Sequence, residues 1–244
     1  MIASLITVLV SSMIGPFLDA NPEQFVWVYL FGSLVGLAGT LFFSRVKVLD
    51  EASQLENEIK AKTDKNLATG FMEIIKQDRY FRRYQYSMFT AGFGNMLIEA
   101  PLVFLVTRQL EASYTTSIMI TMVIPFAVSL VALPIWALYL DRVHVAQFRA
   151  RQSILWVVAQ LLTLVGAYFG SIAWLIVGRF IMGIARGGGS LAWQLGHNDF
   201  AKPDQLSAYM GIHVTLTGVR GAIAPFLGMF LYIGIPALGW SGIG

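Results

Sequence analysis

Seven apolar runs of about 20 residues constrain this chain more than any other feature of its sequence. They cover roughly residues 2–18, 25–44, 84–107, 115–140, 153–169, 172–193 and 206–233. A helix rises about 1.5 Å per residue and the hydrocarbon core of a bilayer is about 30 Å thick, so such runs can span it. With 56% hydrophobic and 13% charged residues, the chain lacks the polar surface of a soluble protein. The sequence therefore predicts an all-α integral membrane protein with seven transmembrane helices.

Lys and Arg are distributed unevenly between the segments that connect these spans. With seven alternating spans, segments 45–83, 141–152 and 194–205 share one side and hold nine, three and one of the 17 basic residues. The opposite side holds only Arg108. Cytoplasmic loops are enriched in Lys and Arg, so the three segments are predicted to be cytoplasmic in a multi-pass protein of the cell (inner or plasma) membrane. The net charge of +3 thus reports topology, and no nucleic-acid partner is expected.

The only long polar stretch, residues 45–83, separates two spans from the five that follow. Near its end, Phe71, Ile74 and Ile75 alternate with basic residues. This pattern favours an amphipathic helix that lies on the cytoplasmic leaflet. A solvated linker whose basic end anchors the next span is the alternative interpretation.

A proline-centred hexapeptide occurs twice, as IGPFLD at 14–19 and as IAPFLG at 223–228, which is 209 residues later. If the two copies are equivalent positions in a duplicated unit, the third span begins a second copy and the first two spans end the first. The chain then holds the last two helices of one six-helix half (1–44), an inter-half linker (45–83) and a second half that lacks its last helix (84–244).

A second stretch, ALYLDRVHVAQFRAR at 137–151, follows the fourth span. Together with the hexapeptides, the span order and the long basic loop, it resembles the major facilitator superfamily of secondary transporters, whose two six-helix halves are parallel repeats. Asp141 and Arg142 match the family's cytoplasmic G-x-x-x-D-R-x-G-R-R loop, whereas Ala137 and His144 replace its glycines. The resemblance implies a partial fold from helix five to helix eleven. It also implies a cytoplasmic gate at Asp141 and Arg142, with an ordinary surface pair as the alternative.

The hexapeptides resemble the Gly-Pro stretch of the family's fifth and eleventh helices. Small residues and prolines there are predicted to bend the helices and to let neighbours approach closely. Asp19 and Arg220 depart from the glycines that the family pattern expects. The predicted kink and packing residues are Gly15, Pro16, Gly218, Gly221, Pro225 and Gly228.

Ionisable residues inside the spans are candidates for function. A charge at the bilayer centre costs about 2.5–3.5 kcal/mol, so each one needs a partner or a polar path. Four charged residues occur there, and polar residues share their helix faces at spacings of three or four. The fifth span carries none, which agrees with the outer position that the resemblance implies for it. The predicted substrate or proton pathway comprises Asn95, Glu99, Arg179, Arg186, His213, Thr217 and Arg220.

Two interpretations of these charges stay open. In the first, Glu99 pairs with an arginine and only locks helices together. In the second, the charges line a water-filled path where a solute binds or where Glu99 exchanges a proton. Three arginines against one glutamate favour an anionic solute. His213 is either a proton shuttle or a hydrogen-bonded packing residue.

The sequence favours secondary active transport of a small solute by alternating access, driven by a coupled ion such as a proton or by the solute gradient. A seven-helix receptor or a retinal-type protein is the alternative, although the last span has no Lys for a Schiff base. No H-E-x-x-H or G-x-S-x-G motif points to an enzyme. The chain has no Cys, and neither a metal nor a cofactor is expected. The expected partners are the solute, a coupled ion and the lipid bilayer.

Overall fold

The computed structural model describes residues 2–46, 67–202, 205–234 and 241–242. Within these ranges 88% of the residues are helical and no strand occurs. Seven helices of the described ranges are long and apolar enough to cross a bilayer, and the all-helical fold that the sequence predicts is confirmed there. The helices are α1 (Ile2–Ala20), α2 (Pro22–Phe43), α3 (Leu67–Gln77, too short to span), α4 (Arg79–Gln109), α5 (Tyr114–Leu140), α6 (Val145–Tyr168), α7 (Ile172–Leu195) and α8 (Leu206–Ile233).

Two clusters of buried apolar side chains show that helices α4 to α8 alternate in direction. One cluster joins the start of α4, α6 and α8 to the end of α7, and its members are Phe81, Tyr84, Met88, Val145, Phe148, Ala192, Tyr209 and Ile212. The other joins the end of α4 to the start of α5 and α7, and its members are Leu102, Leu105, Val106, Ile120 and Leu175. The described parts of the three Lys- and Arg-rich segments after α2 therefore share one end of the bundle, here called the basic end.

Helix α7 is the central helix, because α5 and α6 both pack against it through its glycines. A methyl group at Gly183 would lie 2.6 Å from Val128 Cβ in α5, and one at Gly187 would lie 3.0 Å from the Ser129 carbonyl oxygen. Gly188 has similarly little free space. Small residues allow such backbone approach between membrane helices. The triple glycine of α7 therefore serves close packing.

Helices α4 and α8 form a second close pair. A methyl group at Gly228 would overlap the carbonyl oxygen of Leu97 in α4. Gly221 has only Met96 Sδ nearby, at 3.9 Å, and Gly218 faces open space. Among the described residues none packs closely against Gly218, because α8 meets α4 in this region through the long side chain of Arg220 rather than backbone to backbone.

Helix α1 packs on the first turns of α5. A methyl group at Gly15 would lie 2.8 Å from Thr115 Cα. Asp19 accepts hydrogen bonds from the backbone N–H groups of Tyr114, at 2.6 Å, and Thr115, at 3.1 Å. The carboxylate thus satisfies free donors at the start of α5. Helix α1 continues through Pro16, and the α2 that follows has no buried residue.

The short helix α3 packs against protein. Its apolar residues Phe71, Ile74 and Ile75 contact the apolar cluster at the basic end. The Arg82 guanidinium donates to the carbonyl oxygen of Ile75 at 3.0 Å and so satisfies an acceptor at the end of α3. An amphipathic helix is present, as the sequence predicts, but its apolar face covers α4 and α8 rather than lipid. Residues 47–66 of the predicted linker lie outside the described part of the chain.

Candidate functional site: a cavity lined by three arginines

A cavity of about 280 Å³ lies between α4, α6, α7 and α8. This volume is close to the lower limit for small-molecule pockets, roughly 300 Å³. Apolar parts of its wall come from methionine, alanine and glycine. The polar groups of its wall belong to Asn95, Arg149, Trp156, Arg186, Ser190, Trp193, Thr217 and Arg220.

Arg220 of α8 reaches across the cavity wall to α4. The residue is only 6% exposed, and one terminal N–H donates to the Met88 carbonyl oxygen at 2.6 Å. The guanidinium lies over Gly92, where any methyl group would overlap it. Its Nε has no hydrogen-bond partner among the described residues. Gly92 thus provides the space that lets Arg220 enter the cavity.

Two further arginines line the same cavity. The Arg186 guanidinium lies over the ring of Phe126 in α5, 3.9 Å from its centroid, which is a cation–π contact. Arg149 of α6 donates to the side-chain oxygen of Gln152 at 2.8 Å. Arg149 also lines a second cavity of about 570 Å³ at the basic end. It therefore stands between the inner cavity and that outer one.

The inner cavity carries an excess of positive charge. None of the residues lining it is Asp or Glu. In the part of the chain that the structure describes, Arg149, Arg186 and Arg220 form no ion pair. Removing a charged group from water without a counter-charge is costly, and such groups are normally paired. The arrangement can attract and orient an anion.

Glu99 and Arg179 form an ion pair just beyond the cavity, on the side away from the basic end. Both terminal nitrogens of Arg179 lie 3.1 Å from a Glu99 carboxylate oxygen. Arg179 also donates to the carbonyl oxygens of Ile120 and Thr121, at 3.2 and 3.3 Å. Both carbonyls belong to the π-helical turn Met119–Val123 of α5. The pair thus ties α4, α5 and α7 together, which supports the locking interpretation of Glu99.

His213 lies behind the cavity wall and is not among the residues that line the cavity. Its Nδ1 is 3.0 Å from the side-chain oxygen of Gln85, and the residue is only 3% exposed. The Trp193 ring packs against it, and the Trp193 N–H donates to Thr217 at 3.3 Å. This geometry supports the packing interpretation of His213 over the proton shuttle.

Asp141 and Arg142 are exposed in the turn between α5 and α6. Within the described ranges neither side chain forms a hydrogen bond or an ion pair, and the gate role stays a prediction. The carboxylate that joins this turn to the next connection is Asp199, which accepts from the Val145 N–H at 2.7 Å. It also lies 3.9 Å from His144 Nδ1. The first backbone N–H groups of a helix have no acceptor within the helix, and the Asp199 carboxylate supplies one for the first residue of α6.

Helix α6 contributes to the cavity, although the apolar runs of the sequence do not predict it. The apolar run predicts that the fifth span begins at residue 153, but α6 begins at Val145 and so includes Arg149. Arg149, Trp156 and Gln160 recur at i, i+7 and i+11, which places them on one helix face. Gln160 donates to Asn95 at 3.4 Å. The expectation that the fifth span stays apart from the cavity is therefore wrong, and this spacing is the signal that could have corrected it.

The predicted pathway residues fall into two groups. Asn95, Arg186, Thr217 and Arg220 line the cavity, whereas the other three lie around it. No group of three His, Cys, Asp or Glu side chains suited to a metal ion occurs in the described residues. Comparison with protein-family models, curated proteins and solved structures finds no match to this chain. The fold and the site define a class: a helical membrane protein with a cationic cavity between its helices.

Proposed function

We propose that this chain is part of a secondary transporter of the major facilitator type and corresponds to helices five to eleven of its twelve. It moves a small solute by alternating access, with a solute or ion gradient as the energy source. The observation that carries the proposal is the polar cavity between α4, α6, α7 and α8, inside an otherwise apolar bundle. Membrane proteins retain such charges where solutes or ions pass.

The packing of α1 and α2 supports the division into two halves. In the proposal, α1 and α2 end the first half, and α4 to α8 belong to the second. The contact of α1 with the start of α5, at Gly15 and Asp19, is then an interface between halves. The lack of buried residues in α2 fits a helix whose neighbours are lipid and the remaining helices of the first half.

The position of the basic segments supports the orientation. Segments 67–83, 141–152 and 194–202 meet at the basic end, which the positive-inside rule assigns to the cytoplasm. In the proposal, Met1 lies on the cytoplasmic side and the protein resides in the cell membrane. The retinal alternative gains no support from the site, since α8 contains no Lys for a Schiff base. The proposed role requires no enzymatic step.

Uptake measurements test the proposal directly. Radiolabelled solutes would be offered to vesicles that contain the full-length gene product, with Arg220→Gln as the cavity variant and the exposed Arg108→Gln as its matched control. At least one solute is expected to accumulate, with uptake reduced at least tenfold in Arg220→Gln and unchanged in Arg108→Gln. Equal uptake by wild type and Arg220→Gln would remove the cavity from the transport path.

The gene itself offers a second test of the assignment. If α1 and α8 are the fifth and eleventh helices of a twelve-helix protein, the flanking coding sequence should encode four further spans upstream and one downstream. An intact gene product with only the seven spans of this chain would contradict the assignment.

A further inference from the structure

We propose that the inner cavity binds a small organic anion that carries at least two negative charges. The proposal rests on the proposed function only for the role of this anion as the transported solute. Binding itself is a property of the cavity and can be measured without transport.

The distribution of charge around the cavity is the first argument. Arg149, Arg186 and Arg220 converge on it from α6, α7 and α8. The Glu99 carboxylate, which lies just beyond the cavity, is held by two contacts to Arg179. The Glu99–Arg179 pair is therefore neutral overall, and the positive charges of the three cavity arginines remain. A monoanion would leave two of them uncompensated, whereas a dianion or trianion compensates most or all of them.

Unsatisfied hydrogen-bond donors are the second argument. Arg220 Nε and Trp156 Nε1 are buried and have no partner among the described residues, and both residues line the cavity. Arg220 is also more than nine-tenths buried. Buried donors nearly always have an acceptor, from the protein, from ordered water or from a bound molecule. Carboxylate oxygens accept from guanidinium and indole N–H groups alike, and with guanidinium they form the strong charge-assisted kind of bond.

The apolar part of the wall indicates that the anion has an organic body. Met88, Met96 and the rings of Trp156 and Trp193 line the same space as the arginines. The methionine side chains and the carbon faces of the two rings form no hydrogen bonds with a hydrated inorganic ion, but they can pack against carbon atoms. Arg149 also lines the cavity at the basic end, so an anion arriving from that end meets a positive charge before it reaches the inner cavity.

Titration calorimetry of the full-length protein in lipid nanodiscs tests the proposal. The probes are isophthalate and succinate, an aromatic and an aliphatic dianion, at constant ionic strength, with 1,3-benzenedimethanol as the neutral counterpart of isophthalate. At least one dianion is expected to bind saturably, whereas the neutral diol is expected not to bind. Arg186→Gln and Arg220→Gln are each expected to weaken binding at least tenfold, and Arg108→Gln is expected to leave it unchanged.

Two glycine variants of α4 provide a second test in case the arginine variants do not fold. Gly92→Ala pushes the Arg220 guanidinium aside without removing its charge, whereas a methyl group at Gly94 meets no atom within 4 Å. Dianion binding is expected to weaken at least tenfold in Gly92→Ala and to persist in Gly94→Ala.

Three results would overturn the anion proposal: no binding of either dianion, equal binding of the neutral diol, or dianion affinity unchanged in Gly92→Ala and both arginine variants. The transport proposal fails separately. Dianion binding without any uptake contradicts transport alone, and uptake of a neutral solute without dianion binding contradicts the anion proposal alone.

Discussion

Asp19 and Arg220 are the two residues that depart from the glycines expected around the repeated hexapeptide, and both make specific contacts. Asp19 accepts two backbone hydrogen bonds at the start of α5. Arg220 crosses to α4 and donates to Met88. The sequence could show that these positions are unusual. It could not show their partners, because Tyr114 lies 95 residues from Asp19 and Met88 lies 132 residues from Arg220 along the chain. Only the packed helices reveal what the departures do.

The Glu99 and Arg179 pair gives a stability prediction. Glu99→Gln leaves Arg179, which is 3% exposed, without its counter-charge. Hydrogen bonds to charged groups contribute about 1.5–3 kcal/mol, and the 38% exposure of the Glu99 side chain places the expected loss near 2 kcal/mol of unfolding free energy. Denaturant unfolding in mixed micelles measures it, with Arg108→Gln as the control. The double variant Glu99→Gln/Arg179→Gln should lose less than the sum of the single losses, and additive losses would contradict the pairing.

Most cavity residues that lie well inside a span could be predicted from the sequence. Asn95, Arg186, Thr217 and Arg220 stand out because polar groups are rare in apolar runs. Arg149 could not be predicted in this way, because its helix extends two turns beyond the apolar run. Which polar residues face the cavity and which, like His213, lie behind its wall depends on helix rotation, and a single sequence does not specify it.

At the scale of helices, the height at which two neighbours touch decides which glycines matter. Gly218, Gly221, Pro225 and Gly228 share one face of α8 by their spacing. The structure brings that face against the α4 backbone only at Gly228. Periodicity predicts the face but not the height of the contact, because the height depends on how the whole helices cross.

Gly228→Ala and Gly218→Ala form a matched pair that tests the α4–α8 contact. A methyl group at Gly228 would meet the Leu97 carbonyl oxygen, a backbone atom that cannot move alone. Overpacking of this kind costs about 1–3 kcal/mol, and we expect a loss of that size in unfolding free energy. Gly218→Ala meets no neighbour and is expected to be neutral or to stabilise by up to about 1 kcal/mol. Equal effects of the two variants would argue against this packing.

The contact between α1 and α5 gives a third stability prediction. Asp19→Ala removes the acceptor for the Tyr114 and Thr115 N–H groups, so the melting temperature is expected to fall. Asp19→Asn keeps one acceptor oxygen and should lose less. Thermal unfolding in nanodiscs measures both variants, with the exposed Glu23→Ala as the control. A melting temperature unchanged in Asp19→Ala would contradict the capping role.

At the scale of the whole molecule, the seven spans and the shared position of the basic segments could be predicted, because apolar length and alternation follow directly from the bilayer. The packing of α3 could not. Its amphipathic pattern fits a lipid surface and a protein surface equally well, and only the structure shows Phe71, Ile74 and Ile75 against the cluster at the basic end. The same physical limit applies to the cavity, whose walls come from four helices far apart in sequence.

The most direct test of alternating access at this cavity is labelling with a membrane-impermeant thiol reagent. The chain has no cysteine, so single cysteines can be placed at will, in full-length protein cleared of any other cysteine. Ser190→Cys probes the cavity, and the exposed Arg108→Cys and Arg142→Cys report the two sides of the membrane. The account predicts that the cysteine at 190 reacts from both sides of the membrane. The cysteine at 108 should react only from outside, and the cysteine at 142 only from the cytoplasm. Reaction at 190 from one side alone would contradict it.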